Sequence, residues 1–240
     1  MITSNIGKIF LDAYNEKYGT SYDARTFFLE QFYPLFFDQN KYMMTAGNSP
    51  LENPKLSWDD MIKGKKPFET PEQRKIRFEK LIKKIEESEA DASIARGYAS
   101  LDVTATTSGQ VTYLKLPNSQ EEIYTSWIGD ALGIGVQGGF SILFSNKEIL
   151  LDIFEGWKLY RTSLNETSML KGNQINTWNG QWLSHYYDPR EYDADMPLAG
   201  YNPFRGKTMS RRSAHSVTGG HDTVLQRIGI LRRGFLNQYA

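Results

Sequence analysis

Residues 129–144 have the sequence GDALGIGVQGGFSILF, in which Gly133, Gly135 and Gly138 keep the spacing of a dinucleotide-binding fingerprint. In such a site, the glycines lie between a buried strand and a helix whose N-terminus faces the pyrophosphate. Here a predicted helix precedes Gly133, and the glycines run into residues 140–144, whose length and apolar composition are typical of a buried strand. This order of elements excludes a dinucleotide site, and we expect no cofactor.

Two other interpretations of these glycines stay open. A glycine-rich turn lets one backbone pass close to another, because glycine has no Cβ. Alternatively, the exposed amide groups of such a loop meet a phosphate or another protein chain. The first interpretation concerns packing and the second concerns binding.

Residues 1–92 have the periodicity of helices. Apolar residues recur at helical spacing along the first of these helices: Ile6, Ile9, Phe10, Ala13 and Tyr14. Gly19 is a natural helix end, and Asp23 is the predicted N-cap of a second, phenylalanine-rich helix that Pro34 bends or ends early. A capping box at Thr70 and Gln73 predicts a further helix through residue 87.

A change of period follows in the middle of the chain. β-Branched residues at 103–107 and 111–116 flank the turn-forming pair 108–109, which predicts a tight hairpin. Metal-dependent nucleases place an acid before such a hairpin and a second carboxylate on its second strand, where both help to hold a divalent cation. Asp102 fits the first position, but Tyr113 stands where the second carboxylate belongs. We therefore set this nuclease interpretation aside.

Helices are predicted on both sides of the glycine-rich stretch. Capping boxes begin at Ser119 and at Ser145, and they predict helices over 119–132 and 145–164. The whole pattern predicts an α+β fold, with a helical N-terminal part followed by a small, mainly antiparallel sheet packed by helices.

The chain divides by pattern into three regions that we expect to form one compact domain. They are a mainly helical region, 1–92, an α+β region, 93–204, and a basic C-terminal segment, 205–240. The only boundary that the sequence suggests lies between Asp91 and Leu101, where helical periodicity gives way to strand periodicity.

Composition limits the cellular compartments and the classes of protein that we expect. The chain of 240 residues contains no cysteine, which excludes disulfide frameworks and thiol catalysis. No apolar run approaches the roughly 20 residues that a membrane-spanning helix needs. The N-terminus lacks the basic head and apolar stretch of a signal peptide. We therefore expect a cytoplasmic protein with no membrane partner.

Charge is distributed unevenly, although the formal net charge is zero. Residues 205–240 contain seven Lys or Arg and one acid, Asp222, so the rest of the chain is acidic. A basic end of this kind is typical of a polyanion-binding segment, but also of a solvated surface or of a dock onto the acidic part of the chain. The candidate phosphate contacts are Arg211, Arg212, Arg232 and Arg233.

Residues 172–187, GNQINTWNGQWLSHYY, combine five side-chain amides with five aromatic or imidazole rings. Amides recognise base edges and aromatic rings stack on bases or sugars. The candidate nucleic-acid contacts are Asn176, Trp178, Asn179, Gln181 and Trp182. Alternatively, the two tryptophans form a core stripe and the amides satisfy buried backbone groups.

Carboxylates follow His185 closely, at Asp188, Glu191, Asp193 and Asp195. Such a cluster can hold a hard metal ion that activates water against a phosphodiester. Its spacing matches no standard metal-binding pattern, and nearby prolines are typical of an irregular, solvated segment. We assign no metal to it, and a hydrolase remains an alternative function.

No family motif covers the chain. In general residue composition, the chain resembles specialised bacterial proteins of defence systems, without a diagnostic motif. The stretches concerned are TTSGQVT (106–112), LGIGVQGG (132–139) and INTWNGQW (175–182). We therefore expect a nucleic-acid-binding protein, or a subunit of a larger bacterial nucleic-acid-processing or defence assembly with other protein subunits as partners. The alternatives are a metal-dependent phosphodiester hydrolase and a non-catalytic protein-interaction subunit.

Overall fold

The computed structural model describes residues 1–45, 51, 58–87, 93–99, 111, 119–136, 140–168, 170 and 175–201. Its helices are α1 (Ile2–Tyr18), α2 (Ala24–Phe27), α3 (Tyr33–Phe36), α4 (Trp58–Ile62), α5 (Pro71–Glu87), α6 (Gln120–Ala131), α7 (Lys147–Glu166) and α8 (Ile175–Tyr186), and a π-helical segment (Phe28–Phe32) joins α2 to α3. Two short strands, β1 (Ile134–Val136) and β2 (Phe140–Ile142), pair antiparallel with Ile134 opposite Ile142.

The predicted α+β fold is wrong, because the described chain is mainly helical and its only sheet is the hairpin β1–β2. The run 140–144 was expected to be a buried strand, yet only its first three residues are in β2, and Ser141 is exposed. Short apolar runs do not distinguish a sheet from other buried structure. The predicted hairpin over 103–116 lies outside the described residues, except that Val111 forms a single β-bridge.

The chain forms two compact units. The first contains Met1–Gly133 and Leu143–Ile175, and therefore α1 to α7. The second contains, among the described residues, 134–136, 140–142 and 176–201, and therefore the hairpin and nearly all of α8. The boundary suggested by the sequence between Asp91 and Leu101 falls within the first unit.

Aromatic rings form the core of the first unit. The ring of Phe10 on α1 lies 5.6 Å from that of Phe27 and 5.4 Å from that of Phe154 on α7. The ring of Phe36 on α3 meets Trp157 edge-on, with 4.8 Å between the ring centroids. All four phenylalanines of the predicted second helix are fully buried: Phe27, Phe28, Phe32 and Phe36.

Pro34 explains the π-helical segment. Proline has no backbone N–H, and in an α-helix its ring would clash with the carbonyl four residues earlier, here that of Glu30. The chain widens before the proline, so that the backbone N–H of Tyr33 donates to the carbonyl of Phe28, five residues earlier. The predicted distortion at Pro34 is therefore confirmed, and it is a widened turn rather than an early helix end.

Helices α1 and α6 touch through their backbones. A Cβ added to Gly7 on α1 would lie 2.7 Å from the carbonyl carbon of Thr125 on α6 and closer still to its oxygen. A Cβ added to Gly129 would overlap the carbonyl of Thr3 in the same way. Real Cβ atoms do not approach backbone so closely, so this crossing requires glycine on both helices.

The helix caps predicted from the sequence are confirmed, except at the start of α7. Gly19 ends α1 in the left-handed conformation, and Asp23 caps α2 by accepting a 2.6 Å hydrogen bond from the backbone N–H of Thr26. The capping boxes predicted at Thr70 with Gln73 and at Ser119 with Glu122 are both confirmed. The predicted capping box at Ser145 is wrong, because the Asn146 side chain accepts from the N–H of Ile149 and shifts the start of α7 to Lys147.

We predict that Gly7→Ala destabilises the protein by about 1 to 3 kcal/mol, because overpacking at the crossing outweighs the gain of up to about 1 kcal/mol in helix propensity. The free energy of unfolding from urea denaturation measures the effect. Asn5→Ala is the control, because Asn5 is exposed on the same helix and its replacement changes propensity alone. Equal stability of the two variants would contradict the close crossing.

A second prediction concerns the cap at Asp23. The backbone hydrogen bond from Thr26 lowers the pKa of the Asp23 carboxyl. A depressed pKa contributes stability above the unfolded-state pKa of about 3.9, and this contribution is lost as the pH falls through the folded-state value. Asp23→Asn keeps the cap but does not titrate.

Urea midpoints of the wild type and Asp23→Asn, measured from neutral to acid pH, check this prediction. We expect similar stability at neutral pH and a relative loss for the wild type below about pH 4. Asp23→Ala removes the cap at neutral pH and should cost about 0.5 to 2 kcal/mol. If the difference in urea midpoint between the wild type and Asp23→Asn is the same at all pH values, protonation of Asp23 does not affect stability and the prediction is wrong.

Candidate nucleic-acid interface

The two tryptophans proposed as stacking platforms are buried on α8. Trp178 is 3% exposed and Trp182 is 1% exposed. The Trp182 ring stacks on Tyr186, with 5.3 Å between the centroids, and Trp178 meets the ring of Tyr201 edge-on at 4.6 Å. In this arrangement neither ring offers a free face to a base, so the burial favours the core-stripe alternative.

The amides of the same helix have unequal access to solvent. Asn176 and Asn179 are buried. Gln181 is half-buried, and its Oε1 accepts a 3.2 Å hydrogen bond from the Tyr201 hydroxyl. Of the three, Gln181 is the one whose side chain reaches the surface.

Gly135 shows why the glycine-rich stretch lies beside this helix. A Cβ at Gly135 would lie 3.3 Å from both the Cβ of Asn176 and the backbone N of Thr177. The first turn of α8 therefore packs directly on strand β1. This close approach supports the packing interpretation at Gly135, whereas Gly138 lies outside the described residues.

His185 and the carboxylates after it do not converge on one point. His185 is buried, and its Nε2–H donates a 2.9 Å hydrogen bond to the carbonyl oxygen of Pro197. The Asp188 carboxylate accepts hydrogen bonds from the backbone and side chain of Arg190. The Asp193 carboxylate accepts from the backbone N–H of Asp195, 2.9 Å away. Each carboxylate therefore stabilises a local turn.

The described residues contain no candidate metal centre. Nowhere among them do three His, Asp or Glu side chains lie close enough together to hold a metal ion. Glu191 is exposed, and its backbone N–H donates to the carbonyl of Asp188. Asp102 and Tyr113 lie outside the described residues.

The four arginines proposed as phosphate contacts also lie outside the described residues: Arg211, Arg212, Arg232 and Arg233. Their contact with phosphate therefore stays a prediction from charge. No helix in the described part of the chain is both long enough and apolar enough to cross a bilayer.

Sequence reasoning missed two buried cations that close helix ends. The guanidinium of Arg161 donates to the carbonyls of Leu35 and Phe36 at the end of α3, at 2.8 and 3.3 Å. The ammonium of Lys41 donates to the carbonyl of Leu164 near the end of α7, at 2.9 Å. Burial lowers the pKa of Lys41 and lowers that of Arg161 to about 10.

A signal for these cations is present in the sequence. Arg161 follows Trp157 by four residues and precedes Leu164 by three, so it lies within the apolar stripe of α7. A cation in such a stripe needs buried acceptors, and the last carbonyls of a helix supply them. Both cations therefore serve the fold and offer no charge to a ligand.

Arg96 is a third buried cation, and it ties residues 93–99 to α1 and α6. Its carbonyl accepts a 2.7 Å hydrogen bond from the Thr3 hydroxyl, and its N–H donates to the Ser126 hydroxyl at 2.8 Å. Its guanidinium lies over the Trp127 ring, 4.3 Å from the centroid, and 3.9 Å from the Asp130 carboxylate. Burial lowers the pKa of Arg96 to about 10 and raises that of Asp130.

The chain matches no known protein-family model, no curated protein and no solved structure.

We predict that Trp182→Ala lowers the free energy of unfolding by about 3 to 5 kcal/mol, because it removes a buried indole. Thermal or urea denaturation checks this. Met196→Ala is the control, since Met196 is 61% exposed and its truncation should change stability by less than about 0.5 kcal/mol. If Trp182→Ala is as stable as the control, the Trp182 ring is not part of the core, and its role as a surface contact is supported instead.

Proposed function

We propose that the protein binds nucleic acid through phosphate contacts, without catalysing a reaction on it, as a subunit of a larger assembly. The observation that carries this proposal is the segregation of charge along the chain. Residues 205–240 contain seven cations and one acid, whereas residues 1–204 contain 21 cations and 27 acids. Basic segments bind the phosphate backbone by releasing its condensed counterions, whatever the base sequence.

The buried rings of α8 support phosphate contact over base stacking. Stacking needs an aromatic face that a base can reach. Trp178 and Trp182 are packed against other rings. We therefore propose that affinity comes from the basic segment, and that Gln181 is the one amide of α8 positioned for an added polar contact.

Local turns around His185 favour a binding role over the alternative hydrolase. Metal-assisted hydrolysis requires ligands that point at a shared position. The carboxylates of Asp188 and Asp193 each accept hydrogen bonds from backbone N–H groups two residues later. The described residues contain no such centre, so we propose that this chain binds nucleic acid and that other protein subunits supply any catalysis.

We predict that replacing Arg211, Arg212, Arg232 and Arg233 together with Ala weakens binding and flattens its salt dependence. Each lost phosphate contact removes about 0.7 to 0.9 from the slope of log affinity against log salt. The slope should fall by about three units for single strands and nearer four for duplexes. Fluorescence anisotropy with labelled DNA and RNA at several salt concentrations measures it.

Replacing the same four arginines with Lys is the matched control. It keeps the charge, so the slope should stay at the wild-type value. A folded four-alanine variant with wild-type affinity and slope would show that these arginines do not contact phosphate. If the wild type binds neither DNA nor RNA at low salt, the nucleic-acid proposal is wrong and a protein-only interaction subunit replaces it.

A further inference from the structure

The turn after α4 carries three lysines in four residues. Lys63, Lys65 and Lys66 are all exposed, and Gly64 between them has a φ of 71°. We call residues 63–66 the lysine turn. A left-handed φ favours glycine, so the turn is built around Gly64.

Hydrogen bonds hold the lysine turn in one conformation. The backbone N–H of Gly64 donates to the carbonyl of Met61 at 3.0 Å, and that of Lys65 donates to the carbonyl of Asp60 at 2.7 Å. These bonds close the C-terminus of α4 in the manner of a Schellman motif. The three side chains therefore start from an ordered backbone, and a ligand does not have to order that backbone on binding.

Most of the positive charge on the lysine turn is not neutralised within the described residues. Lys66 lies 3.7 Å from the Asp60 carboxylate, whereas Lys63 and Lys65 form no ion pair in the described part of the chain. On α5, by contrast, Lys75 pairs with Glu79 four residues later, as is usual on a solvated helix face. Lys83 on α5 is paired in the same way, with Glu87, so two lysines of that surface have an i,i+4 partner that Lys63 and Lys65 lack among the described residues.

We propose that the lysine turn is a second phosphate-contacting site, which holds the backbone of a nucleic acid. Lysine contacts phosphate as a point charge with three donors, so adjacent lysines suit a row of phosphates. The turn itself has no apolar side chain to enter a lipid surface and no aromatic ring to stack on a base. This inference rests on the proposed nucleic-acid function and adds a contact on the first unit.

The test compares two full-length variants with equal net charge. The first is Lys63→Gln, Lys65→Gln and Lys66→Gln together, and the control is Lys75→Gln, Lys80→Gln and Lys83→Gln on the exposed side of α5. The probes are labelled oligothymidylate and a DNA duplex, measured at several salt concentrations. Circular dichroism and thermal melting verify that both variants fold.

We expect the turn variant to lose about two units of salt slope on the single strand and nearer three on the duplex. The α5 variant should keep a slope near the wild-type value. Replacing the three turn lysines with Arg should restore the wild-type slope, because the charge returns. Gly64 is unchanged in all variants, so the turn keeps its backbone.

Three results would overturn the inference while leaving nucleic-acid binding intact. In the first, the turn variant keeps the wild-type slope although the four-arginine variant loses its own. In the second, the α5 variant loses as much slope as the turn variant, which indicates a general charge effect. Loss of affinity for phosphatidylserine vesicles without loss of slope on DNA would assign the turn to lipid. Absence of any nucleic-acid binding by the wild type would overturn the function and this inference together.

Discussion

The backbone contact between α1 and α6 is the constraint on which the first unit depends. Gly7 and Gly129 let the two helices approach until a Cβ on either would overlap a carbonyl of the other. Close approach brings Thr3 and Ser126 within hydrogen-bond distance of Arg96, so residues 93–99 are held against both helices. The polar side chains at this crossing are buried because each has a backbone partner there.

Buried cations complete this helical packing. A mainly helical fold leaves carbonyls without partners at every helix C-terminus. Arg161 and Lys41 supply donors to two such ends, those of α3 and α7, from other parts of the chain. Charge alone does not distinguish these side chains from cations that bind a ligand. Their carbonyl partners show that a cation in an apolar stripe can be a structural element.

This division between buried and exposed groups shapes the functional argument. The rings and amides of α8 that resemble a recognition surface in sequence are largely buried. In the described part of the chain, exposed positive charges such as those of Lys63 and Lys65 remain accessible to a polyanion. Phosphate recognition requires such charges but no shaped pocket or exposed aromatic ring. It is therefore compatible with a fold that buries its aromatic residues.

The sequence by itself determined the local features of the fold. Gly19, Asp23 and the capping boxes at Thr70 and Ser119 marked helix ends correctly, because caps act through hydrogen bonds between residues close in sequence. The order of elements around Gly133 also predicts that this stretch binds no dinucleotide, and this stays a prediction. The α+β prediction failed because a short apolar run does not by itself encode a buried strand: in 140–144, Ser141 is exposed and residues 142–144 are half-buried.

Only the tertiary structure decided what each polar or small residue faces. Gly129 is the first residue of the stretch 129–144, whose later glycines have the spacing of the fingerprint. Gly129 itself has a packing role, because the absence of a Cβ there lets the backbone of α1 approach. Trp178 and Trp182 have the same spacing whether they stack on bases or on Tyr201 and Tyr186, and their burial distinguishes the two. Contacts between residues far apart in the chain depend on helix packing, and no local pattern encodes the distance between two helices.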